Sequence, residues 1–269
     1  MKAPPFAYVR AKSLGEVFGL LEKHGDGAKL LAGGQSLIAT LNMRLSAPEL
    51  LIDISRLTDL SGIQVKGKTI TIGALTTHAE IERSAEIRKH LPLLAQAAPH
   101  IAHPAIRNTG TIGGSLALAD PAAEWPACCV ALDAKIVAQS KKGTRKIAAG
   151  DFFKGLYATA LKPNEVLTKI EFPLAAPGQR SAFVELAQRR GDYAIVGLAA
   201  VASGTQRRFA FLGAGDRPVL AILAGKAKDI RAARAGLAKD LSPPADLYHS
   251  PATKLHLAGV LLERVWNTL

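Results

Sequence analysis

The chain has 269 residues, 48% of them hydrophobic and 5% aromatic, and carries a formal net charge of +12. That length and apolar content suffice for one large domain or two modest ones with a core of Ala, Leu, Ile and Val, and they exclude a disordered chain. The positive charge is scattered in short pairs at Lys141 and Lys142, Arg189 and Arg190, and Arg207 and Arg208, without a zinc-finger or helix-turn-helix pattern, so it reads as solvated surface and the expectation is no nucleic acid.

The opening MKAPPFAYVRAKSLGE holds no apolar stretch like the core of a signal peptide. No later run approaches the roughly 20 residues of a bilayer span, so the expectation is a cytoplasmic protein with no membrane span. Ser13-Leu14-Gly15-Glu16 is a capping box, Leu14, Val17, Phe18 and Leu21 follow at helical spacing, and Gly25 suits the helix end. Residues 29–32 form a short apolar run that reads as a buried strand leading into Gly33-Gly34-Gln35-Ser36, with a second helix from Ser36 or Leu37. Residues 50–54 read as another strand, and 63–65 with 69–72 as a hairpin turning at Lys66-Gly67-Lys68. Residues 77–85 and 87–100 are helix-like. The stretch 101–126, rich in Gly, Pro and small residues, reads as one long loop, a length that usually carries function. Residues 130–138 read as a strand, 141–143 as a turn, and 166–172 as a strand stopped by Pro173. Residues 178–180 mark a domain boundary. Beyond it, 181–188 and 209–213 read as strands of a smaller sheet, 191–204 fits helix or strand equally, and 219–224, 229–239 and 252–268 read as helices.

Two glycine-rich segments carry the chemistry. Gly33-Gly34-Gln35-Ser36 and Thr111-Ile112-Gly113-Gly114-Ser115 each present successive backbone N–H groups next to an apolar segment. Glycine lets a backbone curl round an anion, and Gln35, Ser36, Thr111 and Ser115 add neutral donors. Two such loops together suit a diphosphate without a P-loop lysine. No G-x-x-x-x-G-K-[ST] sequence is present, and no G-x-G-x-x-G follows the first strand, which disfavours a Rossmann site. Gly213-Ala214-Gly215 sits late, runs into Pro218 and reads as a turn.

These segments resemble those of the FAD-binding (medium) subunit of the xanthine dehydrogenase and carbon monoxide dehydrogenase family of molybdenum hydroxylases. Ala32-Gly33-Gly34-Gln35-Ser36-Leu37 resembles the family's first diphosphate loop. Thr111-Ile112-Gly113-Gly114-Ser115-Leu116, followed by Ala119-Asp120-Pro121-Ala122-Ala123-Glu124, resembles the second. The opening helix, Ile52-Asp53-Ile54, Ile72-Gly73-Ala74, Glu165-Val166-Leu167, Gly213-Ala214-Gly215 with Pro218, Leu223-Ala224-Gly225 and the closing helix extend the similarity over nearly the whole chain.

The resemblance implies an α+β fold. A two-subdomain FAD-binding domain of the vanillyl-alcohol oxidase type would span 1–177, and a small C-terminal domain with a three-stranded antiparallel sheet and helices would span 178–269. It implies FAD as cofactor. Leu30, Leu31, Ala32, Gly33, Gly34, Gln35, Ser36 and Leu37 would wrap the diphosphate from one side, and Thr111, Ile112, Gly113, Gly114 and Ser115 would close it from the other. Glu124 would hydrogen-bond the cofactor, Ile101 and Leu167 would meet it through apolar surface, and Tyr193, in Arg189-Arg190-Gly191-Asp192-Tyr193, would approach the flavin ring. Three positions depart from the family pattern. Ser115 stands where Asn is common, Glu124 where Asp is common, and Glu185 near a position where many relatives carry Lys.

The function implied is electron transfer. A molybdenum-cofactor subunit would hydroxylate substrate, an iron–sulfur subunit would relay electrons, and the flavin would pass them to an acceptor such as NAD, in a heterotrimeric complex. The alternative is a self-contained flavin oxidoreductase of the same fold acting directly on a small substrate. Remaining residues read as structural. His100 and His103 have no carboxylate or cysteine partner nearby in sequence and read as helix-end or surface histidines. Asp120 and Glu124 suit hydrogen bonding beside a cofactor better than hydrolytic acid–base work. Cys128 and Cys129 fit no zinc or cluster spacing and read as buried thiols.

Overall fold

The computed structural model describes residues 2–269. The first unit is a small parallel sheet. Strands β1 (Ala7–Arg10), β2 (Ala28–Leu31) and β3 (Leu50–Asp53) pair in the order β1-β3-β2. Helix α1 (Leu14–His24) lies between β1 and β2, and α2 (Leu37–Asn42) between β2 and β3. Ser13 caps α1 by accepting from the Glu16 N–H, and Glu16 reaches back to the Lys12 N–H at 2.7 Å. Val17, Phe18 and Leu21 of α1 are buried with Leu50 and Ile52 in one core cluster. Strand β1 escaped sequence reading because it is an edge strand with three of its four residues exposed, so it shows no apolar alternation.

The second unit is a five-stranded antiparallel sheet. It contains β4 (Ile63–Lys66), β5 (Thr69–Gly73), β6 (Lys135–Ser140), β7 (Gly143–Ala148) and the late strand β10 (Val166–Pro173), ordered β4-β5-β10-β6-β7. The hairpins at residues 66–68 and 141–143 stand where the sequence places them. Between β5 and β6 run α3 (His78–Arg83), α4 (Ala85–His90), α5 (Pro92–Ala97), α6 (Pro104–Arg107), α7 (Ile112–Leu118) and α8 (Glu124–Ala131). Between β7 and β10 lie α9 (Ala149–Phe152) and the small hairpin β8 (Phe153–Gly155) with β9 (Ala158–Thr159).

The third unit is an antiparallel sheet with strands β11 (Arg180–Ala187), β12 (Ala194–Ser203), β13 (Gln206–Leu212) and β14 (Val219–Leu220) in sequential order, followed by α10 (Ile222–Lys226), α11 (Ile230–Asp240) and α12 (Pro251–Trp266). Helices α5 and α8 pack on one side of this sheet, and α10, α11 and α12 build the second core.

Four expectations are corrected. The long loop at 101–126 holds α6, α7 and the start of α8, because its small residues pack closely instead of turning freely. The strand at 130–138 is the end of α8, a turn, and then β6. All eight residues of α8 are buried, so the helix shows no polar face and its apolar run imitates a strand. The helix at 87–100 is broken at Leu91, where Pro92 begins α5, with a 3-10 turn at the end. The C-terminal sheet has four strands, because Val219 and Leu220 pair with β13 before α10 begins. Residues 191–204, undecided in sequence, hold β12.

The main core runs from Ile70 and Ile72 through Trp125 and Phe152 to Phe183, Ala199 and Leu212, so packing is continuous across residue 177. Arg208 of β13 ties the third sheet to α8. Its Nε and Nη2 donate to the last-turn carbonyls of Ala131 and Val130 at 2.9 and 2.8 Å. A cation at a helix C-terminus complements the helix dipole as well. Arg208→Met should lower stability by about 1–3 kcal/mol, the usual range for charged hydrogen bonds. Urea unfolding should show a lower midpoint with an unchanged slope, and an unchanged midpoint would refute the role of this clamp.

Candidate functional site

The two glycine segments meet backbone to backbone. Strand β2 ends at Leu31, whose carbonyl accepts from Ile54 N–H at 2.9 Å, and residues 32–36 then cross to α2. A β-carbon at Gly33 would lie 2.0 Å from the Thr109 carbonyl oxygen and 2.9 Å from Gly110 Cα. Only glycine fits. Gly34 has a φ of +73°, the left-handed region that side chains resist. Gln35 Nε2 donates to Thr109 Oγ1 at 2.5 Å, a second tie between the loops.

Their N–H groups are used differently. Those of Gly33, Gly34, Gln35, Ser36 and Leu37 make no hydrogen bond within the described residues, and Ser36 does not cap α2 with its side chain. Five successive free donors at a partly exposed loop form an anion-binding concavity. In the second segment the N–H groups of residues 112–115 are already engaged. Ile112 N–H donates to Thr76 O at 3.1 Å, Gly113 N–H to Ala74 O at 2.8 Å, Gly114 N–H to Thr111 Oγ1 at 3.1 Å, and Ser115 N–H to Thr111 O at 3.1 Å. Thr111 to Ser115 is the capped first turn of α7, not an open loop. A β-carbon at Gly113 would strike Ala74 at 2.6 Å, so this turn too is pressed against backbone.

His78 holds the wall in place. Its N–H donates to Gly110 O at 3.0 Å, and its ring Nδ1 accepts from the buried Trp125 Nε1 at 2.9 Å. Burial, with the Arg107 guanidinium adding to it, pushes the His78 pKa down to about 4, so the ring is neutral. Arg107, itself buried, pairs with Glu82 at 2.9 Å and donates to the carbonyls of Ile101 and Ala102.

Glu124 opens α8. A helix N-terminus favours a carboxylate, yet burial dominates and, with Glu185 and Asp120 adding like charge, pushes Glu124 up to about 8. At neutral pH it is held mainly as a neutral acid. Burial also raises Asp120, whose Oδ1 accepts from Ala122 N–H at 2.9 Å. Tyr193 and Tyr157 are exposed, and both feel the Asp120 charge. Ile101, Ile112 and Leu167 are buried in the main core, and Ser115 lies on the first turn of α7. His100 ends a 3-10 turn against Glu185, and His103 is an exposed N-cap of α6. Cys128 and Cys129 are buried free thiols, with the pKa of each raised by burial.

Sequence reasoning missed Thr109, Gly110, His78 and Tyr157 as members of this region, and named Glu185 only as a departure from the family pattern. Thr109 and Gly110 adjoin the second motif and were legible as its continuation. The others arrive from distant elements and carry no local signal.

Residues 4–175 match the family described as the FAD binding domain in molybdopterin dehydrogenase. The chain is 39% identical over 278 residues to 6-hydroxypseudooxynicotine dehydrogenase complex subunit alpha of Paenarthrobacter nicotinovorans, covering 98% of this chain and 94% of that protein. It is 43% identical over 201 residues to the carbon monoxide dehydrogenase medium chain of Hydrogenophaga pseudoflava, covering 75% and 70%. The solved carbon monoxide dehydrogenase from Hydrogenophaga pseudoflava superposes with a TM-score of 0.95 at 38% identity, covering 99% of this chain and 98% of that one. Quinoline 2-oxidoreductase from Pseudomonas putida 86 gives 0.92 at 36%, covering 100% and 98%. The chain belongs to the FAD-binding medium subunits of the carbon monoxide dehydrogenase and xanthine dehydrogenase family of molybdenum hydroxylases.

Two outcomes follow for this site. Gly33→Ala must push residues 109–110 away and should reduce FAD uptake at least tenfold, whereas Ala at Gly34 meets mainly backbone strain of about 1 kcal/mol. Titration of each variant with FAD checks this, and equal uptake by Gly33→Ala and the parent would refute the contact. The second outcome concerns pH. Glu124 ionises near its ordinary 4.5 when unfolded and near 8 when folded. Its contribution is therefore complete below about pH 4.5 and is lost as pH rises through 8. Each tenfold change in an ionisation constant corresponds to about 1.4 kcal/mol, so the loss once pH has passed about 8 is on the order of a few kcal/mol. Glu124→Gln should flatten the decline of Tm between about pH 4.5 and 8, and parallel Tm curves would contradict this.

Proposed function

We propose that this chain grips FAD between the free donors of residues 33–37 and the backbone wall at residues 109–115. It is the FAD-binding electron-transfer subunit of a molybdenum hydroxylase complex and, as such, an oxidoreductase flavoprotein. The observation that carries the proposed grip is the run of unpartnered N–H groups from Gly33 to Leu37, on a loop that excludes even one added carbon. Such a row suits a diphosphate.

In this reading Leu30 to Leu37 wrap the diphosphate. Thr111 and Ser115 offer hydroxyl groups from the other side, since the N–H groups there are already bonded. Glu124 donates a hydrogen bond as a neutral acid, Ile101 and Leu167 supply apolar surface, and Tyr193 covers the ring. Bound flavin supplies one- and two-electron chemistry, while the chain supplies position and electrostatics. The architecture is read as a two-subdomain cradle of the vanillyl-alcohol oxidase type over 1–177 and a C-terminal domain over 178–269. The partners proposed are an iron–sulfur subunit and a molybdenum-cofactor subunit in a heterotrimer, with NAD as an acceptor and the cytoplasm as the location.

The purified chain should take up FAD in near-equal proportion, seen in its visible spectrum and by mass after denaturation. Its flavin should be bleached by a hydroxylase substrate only when both partner chains are present. Bleaching of the isolated chain by that substrate would instead support a self-contained oxidoreductase, and no uptake of FAD with or without partners would overturn the assignment.

A further inference from the structure

The three-stranded sheet of the first unit is covered unequally. The chain crosses from β1 over β3 to β2 through α1 and returns from β2 to β3 through α2. Two right-handed crossovers in opposite directions put the helices on opposite faces. Val9, Leu30 and Ile52 pack with α1 on one face. Tyr8, Arg10, Lys29, Leu31, Leu51 and Asp53 alternate to the other. A β-carbon at Gly34 would meet Ile38 of α2 at 3.2 Å and Leu31 at 3.4 Å, which sets α2 on that second face. A helix of six residues is too short to cover three strands. Leu41 and Leu51 are buried, while Phe6, Tyr8, Ile38, Met43 and Leu45 are exposed. Five of the thirteen large apolar residues exposed among the described residues thus gather on one small unit. Clustering of this kind marks an interaction surface, where single exposed residues do not.

The end of α2 is held in a fixed shape. The N–H groups of Met43, Arg44 and Leu45 donate to the carbonyls of Ala39, Leu41 and Thr40 at 3.0, 3.0 and 2.9 Å. Arg44 has a φ of +58°, in the region that favours glycine. Its Nε donates to Lys2 O at 3.4 Å, which ties this turn to the segment before β1. An arginine kept there against its backbone preference, between two exposed apolar side chains, points to use.

Charge selects the occupant. Lys2, Arg10, Lys29 and Arg44 are exposed around the patch. Of the acids on this face, Asp53 is buried against Arg10 and Tyr8, and Glu49 leans on Gly27 at the far end of the strands. A second copy would set this positive rim against itself, whereas a partner with an acidic face is attracted. Phe, Tyr, Met and Arg are also the residue types enriched in protein interfaces. Helix α2 begins at Leu37, the last free donor of the first glycine loop, so a chain seated here lies beside the proposed cofactor cleft. Of the two partners in the reading above, the iron–sulfur chain is the one that must come near, because electron transfer weakens steeply with distance. Its cluster, held by thiolates, is itself anionic.

We propose that the face formed by Phe6, Tyr8, Ile38 and the Met43-Arg44-Leu45 turn is the docking surface for the iron–sulfur subunit, which meets it with an apolar centre and an acidic rim. The inference rests on the partner reading above.

Calorimetric binding of the full chain to the separately purified iron–sulfur subunit, at several salt concentrations, tests the surface. Affinity of the parent should fall as salt rises. Met43→Ser combined with Leu45→Ser should weaken binding at least about tenfold. Arg44→Glu should do the same and flatten the salt dependence. Arg44→Gly separates docking from folding, since it relieves the backbone: Tm should hold or rise while binding weakens. FAD uptake should stay at the parent's level in all of these. Leu247→Ser combined with Tyr248→Ser alters a still more exposed apolar pair, on the connection between α11 and α12. It should leave binding within about twofold of the parent. Parent-like binding by the Met43/Leu45 and Arg44→Glu variants would overturn the proposal and leave the partner reading standing. No binding of the iron–sulfur subunit by the parent would sink both. Variants that keep this binding but lose the molybdenum-cofactor subunit, or lose self-association, would overturn the choice of occupant.

Discussion

Everything at the site hangs on the approach of two backbones at Gly33. The chain passes so close to Thr109 and Gly110 that a single added carbon has no place. This contact joins a loop of the parallel sheet to the turn that precedes α7, and so joins the first unit to the second. It also holds the first loop, whose five N–H groups at residues 33–37 make no hydrogen bond among the described residues, against the second. A loop with free donors is unstable unless water or a ligand meets them. Fixing it against a wall already saturated with its own hydrogen bonds puts the flexibility on one side and the rigidity on the other.

The wall draws its rigidity from the interior. His78 bonds Gly110 through its backbone and Trp125 through its ring, so α3, α7 and α8 are connected at one buried point. Arg208 then fastens the far end of α8 to the third sheet. A disturbance at either end of α8 therefore reaches Glu124 and the glycine wall. The same burial that makes α8 rigid keeps Glu124 neutral, because the helix dipole at its N-terminus is outweighed by desolvation and by the nearby acids.

The parts of this design written in short range were legible in the sequence. The capped α1, the strands around residues 30 and 52, the two hairpin turns and both glycine motifs each depend on a few adjacent residues. Helix α8 was not legible, because burial on every side erased its period. Nor was the division of labour between the glycine segments. Both look alike as strings of small residues, and only Ala74, Thr76 and the Thr111 side chain and carbonyl, reached through the fold, show that the N–H groups of residues 112–115 in the second are already taken. Glu185 and His100 come together from β11 and a 3-10 turn, and no local pattern predicts their meeting.

The central claim is that the first loop offers its amides to the cofactor and the second does not. Amide hydrogen exchange of the chain with and without FAD tests it residue by residue. The account predicts rapid exchange at residues 33–37 in the free chain and strong protection there on adding FAD, with Ile112, Gly113 and Gly114 slow in both. Protection that appears at Gly113 and Gly114 and not at residues 33–37 would contradict it.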